Sequence, residues 1–308
     1  MKMPAPDAAI LVRRADIVAA LREIVPGEGV IADPEEMRAF ESDGLTAYRQ
    51  MPMVVVLPST TEQVSRILRF AHDNGIKVVP RGAGTSLSGG ALPLADGILL
   101  GMSKFNKVLE IDFRNRCARV QPGVTNLGIT TAVAHAGFYY APDPSSQIAC
   151  SIGGNVAENS GGVHCLKYGL TTNNLLGLEM VLIDGSVVRL GGKHLDAEGY
   201  DFLGVVTGSE GLLGVVTEVT VRLLRRPETQ RALLIGFPTL EDGGECVARI
   251  IAAGIIPAGL EMMDRPAIKA AEDFVHAGYP LDVESLLICE LDGPEAEVEH
   301  LVAEVEKI

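Results

Sequence analysis

Between Pro80 and Gly90 the chain reads Pro-Arg-Gly-Ala-Gly-Thr-Ser-Leu-Ser-Gly-Gly. Glycine lets backbone N–H groups come close to phosphate oxygens, and neighbouring hydroxyls add donors. Arg81 adds a positive charge. The spacing fits neither common nucleotide motif. A GxGxxG loop needs glycine at position 87, which is Leu87, and a Walker A loop needs Gly-Lys-Ser/Thr where this chain has Gly89-Gly90-Ala91. An ordinary flexible loop is the competing reading of the same composition. Two further clusters share this character. One runs Pro142-Asp143-Pro144-Ser145-Ser146, then Cys150-Ser151-Ile152-Gly153-Gly154-Asn155, then Gly161-Gly162-Val163-His164. The other is Thr207-Gly208-Ser209-Glu210-Gly211-Leu212-Leu213-Gly214-Val215-Val216. Three such segments spread along the chain suit an extended dinucleotide better than a single phosphate.

Other reactive side chains are sparse. His164 stands where an imidazole could orient a substrate, or be a hydrogen-bonded core histidine. Lys167 could attract a carboxylate as a point charge, or be a solvated lysine. Glu261, Asp264 and Glu290 fall near strand ends, where carboxylates more often cap than catalyse. The five cysteines include no CxxC pair, which disfavours a disulfide framework, a zinc ribbon and a cysteine-ligated cluster. Cys150 and Cys165 read as packing residues. The sequence offers no metal site.

Composition excludes several classes. Lys and Arg number 26 against 40 Asp and Glu, a net charge of −14, so phosphate-backbone binding to nucleic acid is not expected. Trp is absent, which argues against stacking platforms for single strands. No apolar run approaches a membrane span, and the N-terminus lacks the form of a signal peptide, so a cytoplasmic location is expected.

The elements that position these loops follow from hydrophobic period. Apolar spacing predicts a helix over 14–25, a buried strand over 53–57, a helix opened by Ser59-x-x-Glu62 and closed by Asn74-Gly75, and a strand over 76–79. Strands are predicted near 98–101, 107–111 and 117–121, then a helix over 125–136. Residues 141–169 lack clear period yet carry little charge, as a buried ligand-binding stretch would. Asp184-Gly185 predicts a hairpin between 178–183 and 187–190, and alternation predicts a long strand over 215–223. Arg225-Arg226-Pro227 marks a boundary. Beyond it the order is strand 232–237, helix 240–253, strand 258–263, helix 266–277, strand 285–291 and a helix from 294, which ferredoxin-like packing accommodates.

Taken together, PRGAGTSLSGGALPL, YYAPDPSSQIACSIGGNVAEN, GGVHCLKYGLTTNNLLGLE and TGSEGLLGVVTEVTV resemble the FAD-binding domain of the vanillyl-alcohol oxidase and p-cresol methylhydroxylase superfamily. With GLEMMD, AAEDFVHAGYP and LLICELDG, the likeness extends over nearly the whole chain to the D-subunit family of bacterial glycolate oxidases. The resemblance implies an α+β fold: an N-terminal helical extension over 1–49, a two-subdomain FAD-binding domain over 50–228, and the first, incomplete part of a ferredoxin-like substrate cap over 229–308. It implies noncovalent FAD. Arg81, Gly82, Ala83, Gly84, Thr85 and Ser86 would wrap the diphosphate. Ser145, Cys150, Gly153, Gly154 and Asn155 would follow the ribityl and flavin side, with Gly161 beside the ring. Gly208, Glu210, Gly211, Val215 and Val216 would border the adenine half.

The activity so implied is oxidation of a small 2-hydroxy acid, glycolate to glyoxylate first, with D-lactate or D-2-hydroxyglutarate as the alternative. A non-catalytic FAD-carrying fragment is a further alternative. Family members carry a later His-rich segment of HxGDGNxH form, tied to a divalent metal and substrate; it does not occur in these 308 residues. Catalytic base and metal ligands are therefore expected elsewhere, and His164 and Lys167 are weak catalytic candidates. The resemblance also implies a second flavin-binding subunit, an iron–sulfur subunit and peripheral association with a membrane.

Overall fold

A computed structural model of the chain describes residues 3–194 and 199–308. The chain divides into two units. The first comprises residues 1–140, 146–160 and 171–224; the second comprises 141–145, 161–170 and 225–308.

The first unit begins from a run of three valines. Val54–Val56 is buried on both faces and pairs in parallel with Gly97–Gly101, which pairs in parallel with Lys77–Arg81. Parallel strands buried on both faces need continuous apolar sequence, and Val54, Val55, Val56, Ile98, Leu99 and Leu100 supply it. The short strand Val30–Ile31 pairs antiparallel at the other edge. Helix Thr61–Asn74 makes the crossover. The Thr60 side chain accepts from Gln63 N at its start, and Gly75 at φ 65° ends it. Its stripe of Val64, Ile67, Leu68 and Ala71 is buried in the same core. Arg81 is therefore the last residue of an edge strand, and the glycine loop leaves the sheet at its carboxyl edge, where open α/β sheets hold ligands.

A second sheet in this unit is antiparallel, in the order Val108–Asp112, Cys117–Val120, Val215–Arg222, Leu175–Val181, Val187–Gly191. Val215, Thr217, Val219 and Val221 point inward in alternation, as the sequence period requires. Glu179 is buried at 5% exposure yet fully engaged: Thr61 and Thr217 hydroxyls donate to its Oε1 at 3.0 Å each, and Arg189 pairs with Oε2. This carboxylate ties the crossover helix to the second sheet, which gives it a structural task.

The second unit is a three-stranded antiparallel sheet with Ser285–Gly293 central between Thr229–Phe237 and Gly259–Asp264. Helices Leu240–Ala252, Arg265–Val275 and Glu295–Val305 alternate with these strands. Ile250, Leu287, Cys289, Leu291 and Val298 form the core. The strand–helix alternation expected beyond Pro227 is thus present. The difference lies upstream: 141–145 and 161–170 group with this unit although they fall within the 50–228 stretch. The stretch 141–169, which lacks period, also contains two short helices, Ile152–Glu158 and Cys165–Tyr168. A helix of two turns or fewer cannot establish a period of 3.6.

Leu100→Ala removes a fully buried side chain from the parallel sheet. It is expected to cost about 2–5 kcal/mol in chemical denaturation, whereas Leu212→Ala, at 86% exposure, is expected to cost under about 0.5 kcal/mol. Equal losses at the two positions would contradict this core assignment.

Candidate functional site

The first unit holds a cavity of about 340 Å³ lined by residues from all three glycine-rich segments: Arg81–Ser88, Cys150, Ser151 and Gly153–Glu158, and Ser209–Gly211 with Gly214–Val216. Such a size falls in the ordinary range for ligand pockets. Seven of its lining residues are glycines. At Gly82 a Cβ would lie 2.2 Å from Ser151 Oγ, and at Gly153 one would lie 2.6 Å from Pro122 Cβ. Gly84 has φ +71°, and its Cβ would meet the Arg81 guanidinium at 2.5 Å. Gly211, at φ +75°, faces Pro80 Cγ at 2.9 Å. No other residue type fits these positions without displacing the wall.

Hydrogen bonds then join the segments. Gly208 N donates to Val156 O and Glu210 N to Ala157 O, each at 2.8 Å. Ser86 Oγ donates to Glu158 Oε1 at 3.2 Å. Glu210 itself adopts φ 54°, a left-handed conformation uncommon outside glycine, at the turn that presents Gly211. Two buried polar atoms on the wall, Ser151 Oγ and Asn155 Nδ2, have no protein partner. A buried donor left unmade costs about 1–3 kcal/mol, so both call for an acceptor on a ligand.

The loop is braced from outside the expected set. Gly44 N donates to Gly84 O at 2.8 Å, and a Cβ on Gly44 would lie 2.7 Å from the carbonyl oxygens of both Thr85 and Ser86. Arg81 turns beneath the loop, donates from Nη1 to Phe40 O at 3.2 Å and stacks 5.9 Å from the Phe40 ring centroid. Burial pushes its pKa down, and the Asp43 charge pushes it back up. Phe40, Asp43 and Gly44 were not legible as site residues: they sit in an irregular charged stretch whose only local signal is a turn-forming Asp-Gly pair.

Of the expected cofactor residues, Arg81, Gly82, Ala83, Gly84, Thr85, Ser86, Cys150, Gly153, Gly154, Asn155, Glu210, Gly211, Val215 and Val216 line this cavity. Gly208 does not; it serves the turn that carries Ser209 and Glu210. Ser145 and Gly161 belong to the second unit, and a Cβ on Gly161 would lie 2.5 Å from Leu170 Cδ2.

The catalytic candidates also belong to the second unit. Lys167 is partly exposed but ion-paired. Its Nζ donates to Asp292 O at 2.7 Å and pairs with Asp292 Oδ1, while Tyr168 OH donates to Asp292 Oδ2 at 2.6 Å. His164 is hydrogen-bonded to Asp143. Glu261, Asp264 and Glu290 do not act together: Asp264 caps a helix by accepting from Ala267 N at 2.9 Å, Glu261 is exposed, and Glu290 accepts from Gln230. All five cysteines are free, and burial pushes the Cys289 thiol up to about 11, so it stays a packing residue. Among the described residues no group of three His, Cys, Asp or Glu is placed to hold a metal ion.

Comparison with known proteins agrees with this geometry. Residues 52–191 match the FAD binding domain family, and residues 226–308 match the C-terminal domain of FAD linked oxidases. The chain is 58% identical over 289 residues to glycolate oxidase subunit GlcD of Escherichia coli (strain K12), covering 94% of this chain and 58% of that protein. It is 42% identical over 220 residues to a D-lactate dehydrogenase of Archaeoglobus fulgidus, covering 71% of this chain and 49% of that one. The chain thus spans about half the length of these relatives. In fold it is similar to p-cresol methylhydroxylase with substrate bound, at a TM-score of 0.83 and 17% identity over 99% of this chain and 66% of that one.

The cradle can take a diphosphate: glycines line it where neighbouring atoms leave no room for a Cβ, and two buried polar side-chain atoms on its wall are unpaired. Gly84→Val and Gly44→Ala are each expected to weaken FAD binding at least about tenfold, or about 1.4 kcal/mol. Gly75→Ala, on a helix end away from the cavity, is expected to leave it unchanged. Equilibrium titration by flavin fluorescence reads all three, and wild-type affinity in Gly84→Val would refute the assignment of the loop.

Proposed function

This chain belongs to the FAD-linked oxidases, and on that premise we propose that it is the flavoprotein part of an enzyme that oxidises a small 2-hydroxy acid, glycolate first, to the 2-oxo acid. The observation that carries the cofactor half of this reading is the glycine-walled cavity with Ser151 and Asn155 unpaired on its wall. The similarity to a glycolate oxidase subunit supports the substrate half.

Backbone amides of Gly82–Ser86 would hold the diphosphate of noncovalent FAD, with Arg81 and Gly44 fixing the loop from behind. Asn155 Nδ2 and Ser151 Oγ would donate along the same face, with Cys150, Gly153 and Gly154 keeping the wall low. Glu210, Gly211, Val215 and Val216 would border the adenosine side. When bound, FAD supplies a two-electron acceptor for the hydrogen that leaves the hydroxyl-bearing carbon. The hydroxyl proton needs a base and the substrate carboxylate needs a cation. Lys167 is committed to the buried Asp292 and so is a poor carboxylate ligand. In a protein of the relatives' length these tasks would fall to groups outside these 308 residues, a divalent metal among them.

D-lactate is the second reading, supported by the Archaeoglobus relative. Anaerobic mixing with each acid separates the two in a version extended to the length of the glycolate oxidase relative. Glycolate is expected to bleach the oxidised flavin band faster than D-lactate or D-2-hydroxyglutarate, while residues 1–308 loaded with FAD are expected to bleach little. No bleaching by any 2-hydroxy acid in the extended protein would overturn the reading.

Electrons would leave to a separate partner, a second flavin-binding subunit with an iron–sulfur subunit. Cluster ligation takes about four cysteines, several closely spaced. Here the five are free, and none pairs in a CxxC. Among the described residues no helix is long and apolar enough to cross a membrane, so any membrane association would be peripheral, through such partners. Mixing the reduced extended protein with air-saturated buffer is expected to reoxidise it slowly, with cell extract or a dye restoring the rate. Reoxidation by oxygen alone as fast as turnover in extract would remove the need for a partner.

A further inference from the structure

Within the second unit, two cations on one short stretch face two carboxylates on one strand. His164 and Lys167 lie three positions apart at helix Cys165–Tyr168, and Glu290 and Asp292 lie two apart on Ser285–Gly293. Positions i and i+3 share a helix face, and i and i+2 share a strand face, so the pairs meet in register. Lys167 binds Asp292, which is only 2% exposed. His164 stands between two anions. Its Nδ1 donates to Asp143 Oδ2 at 2.6 Å, its backbone N donates to Asp143 Oδ1 at 3.3 Å, and its Nε2 lies 3.4 Å from Glu290 Oε2. The last distance is within ion-pair range but lacks hydrogen-bond geometry, so Nε2 is otherwise buried without a partner.

We propose that His164 is a positioning residue that works as an imidazolium latch, bridging Asp143 and Glu290 and so fastening residues 161–170 and 141–145 to strand Ser285–Gly293. The neighbours make the bridge specific. A Cβ at Gly162 would lie 2.3 Å from Asp143 O, and one at Gly259, the register partner of Glu290, would lie 2.9 Å from Val163 Cγ1, so the backbone on both sides is already close. From strand Thr229–Phe237 the neutral Gln230 donates to Glu290 Oε1 at 3.1 Å and leaves Oε2 to the histidine. The charged groups facing this site are Asp143, Glu290, Lys167 and Asp292, with Tyr168 on Asp292. Three carboxylates thus face two cations, and loss of the His164 proton leaves Lys167 alone against all three.

The latch is proton-gated. The hydrogen bond to Asp143, aided by the Asp143 and Glu290 charges and opposed by burial, pushes the His164 pKa from 6.5 up to about 9. A raised folded-state value means the contribution is complete below pH 6.5 and is lost as pH rises through about 9.

The test is a pH titration of histidine ring signals by NMR on the full chain, with His164 identified by its absence in His164→Gln. A midpoint near 9 is expected, lowered by Asp143→Asn and to a smaller degree by Glu290→Gln. Thermal melting gives a second readout. His164→Gln is expected to melt below wild type at about pH 7, with the gap closing at about pH 10.5. A midpoint within about half a unit of the free-histidine value, or a melting gap that ignores pH, would overturn the latch. Should the variants fail to fold, wild type still decides: one of its six histidines titrates near 9, or none does.

Discussion

Close approach of the glycine backbone to neighbouring atoms of the chain is the constraint on which the cavity depends. At Gly82, Gly84, Gly153 and Gly44 the room for a Cβ is already filled by Ser151, Arg81, Pro122 or the Thr85 and Ser86 carbonyls. The loop can be this thin only because a buried parallel sheet sets its starting point. Val54–Val56 and Gly97–Gly101 are fully buried, and Arg81 ends the neighbouring strand. The result is a glycine-rich wall that also carries the unpaired Ser151 Oγ and Asn155 Nδ2, which suits a long anionic cofactor held at several points.

Charge is handled locally elsewhere in the molecule. Asp96 is 2% exposed and meets Lys77 at 2.7 Å; Glu179 and Asp292 are also buried and each has a cation. A buried carboxylate without a partner would be protonated or destabilising, so each cation here offsets the desolvation of its carboxylate. Lys167 is already paired with Asp292, while Ser151 Oγ and Asn155 Nδ2 on the cavity wall have no protein partner and call for a ligand.

Much of this was legible in the sequence, and the reasons differ by region. Helix Thr61–Asn74 carried its own stripe and glycine stop, and Val215–Arg222 carried its alternation, so both emerged near their expected bounds, although the cap is Thr60 with Gln63, one position on from the expected Ser59-x-x-Glu62 box. The glycine segments announced the cavity by composition. What stayed hidden was long-range. Gly44 supports Gly84 across 40 positions, and nothing near Gly44 signals it. Asp292 captures Lys167 across 125 positions, which gives a partly exposed lysine a buried partner. Segments 141–145 and 161–170 read as part of a continuous cofactor domain, yet they group with residues 225–308, as the Lys167–Asp292 pair across 125 positions illustrates. Short helices and register-dependent contacts carry no local period by which to find them.

The central claim is that this chain holds FAD noncovalently through its diphosphate, in the cavity of the first unit. Equilibrium titration of the unliganded chain with FAD, and separately with FMN, tests it most directly. The account predicts saturable binding of one FAD per chain, full release of the flavin on acid denaturation, and binding of FMN weaker by at least about a hundredfold, or about 2.7 kcal/mol, because FMN lacks the bridging diphosphate and adenosine. Equal affinity for FMN and FAD, or flavin that stays with the denatured chain, would contradict it.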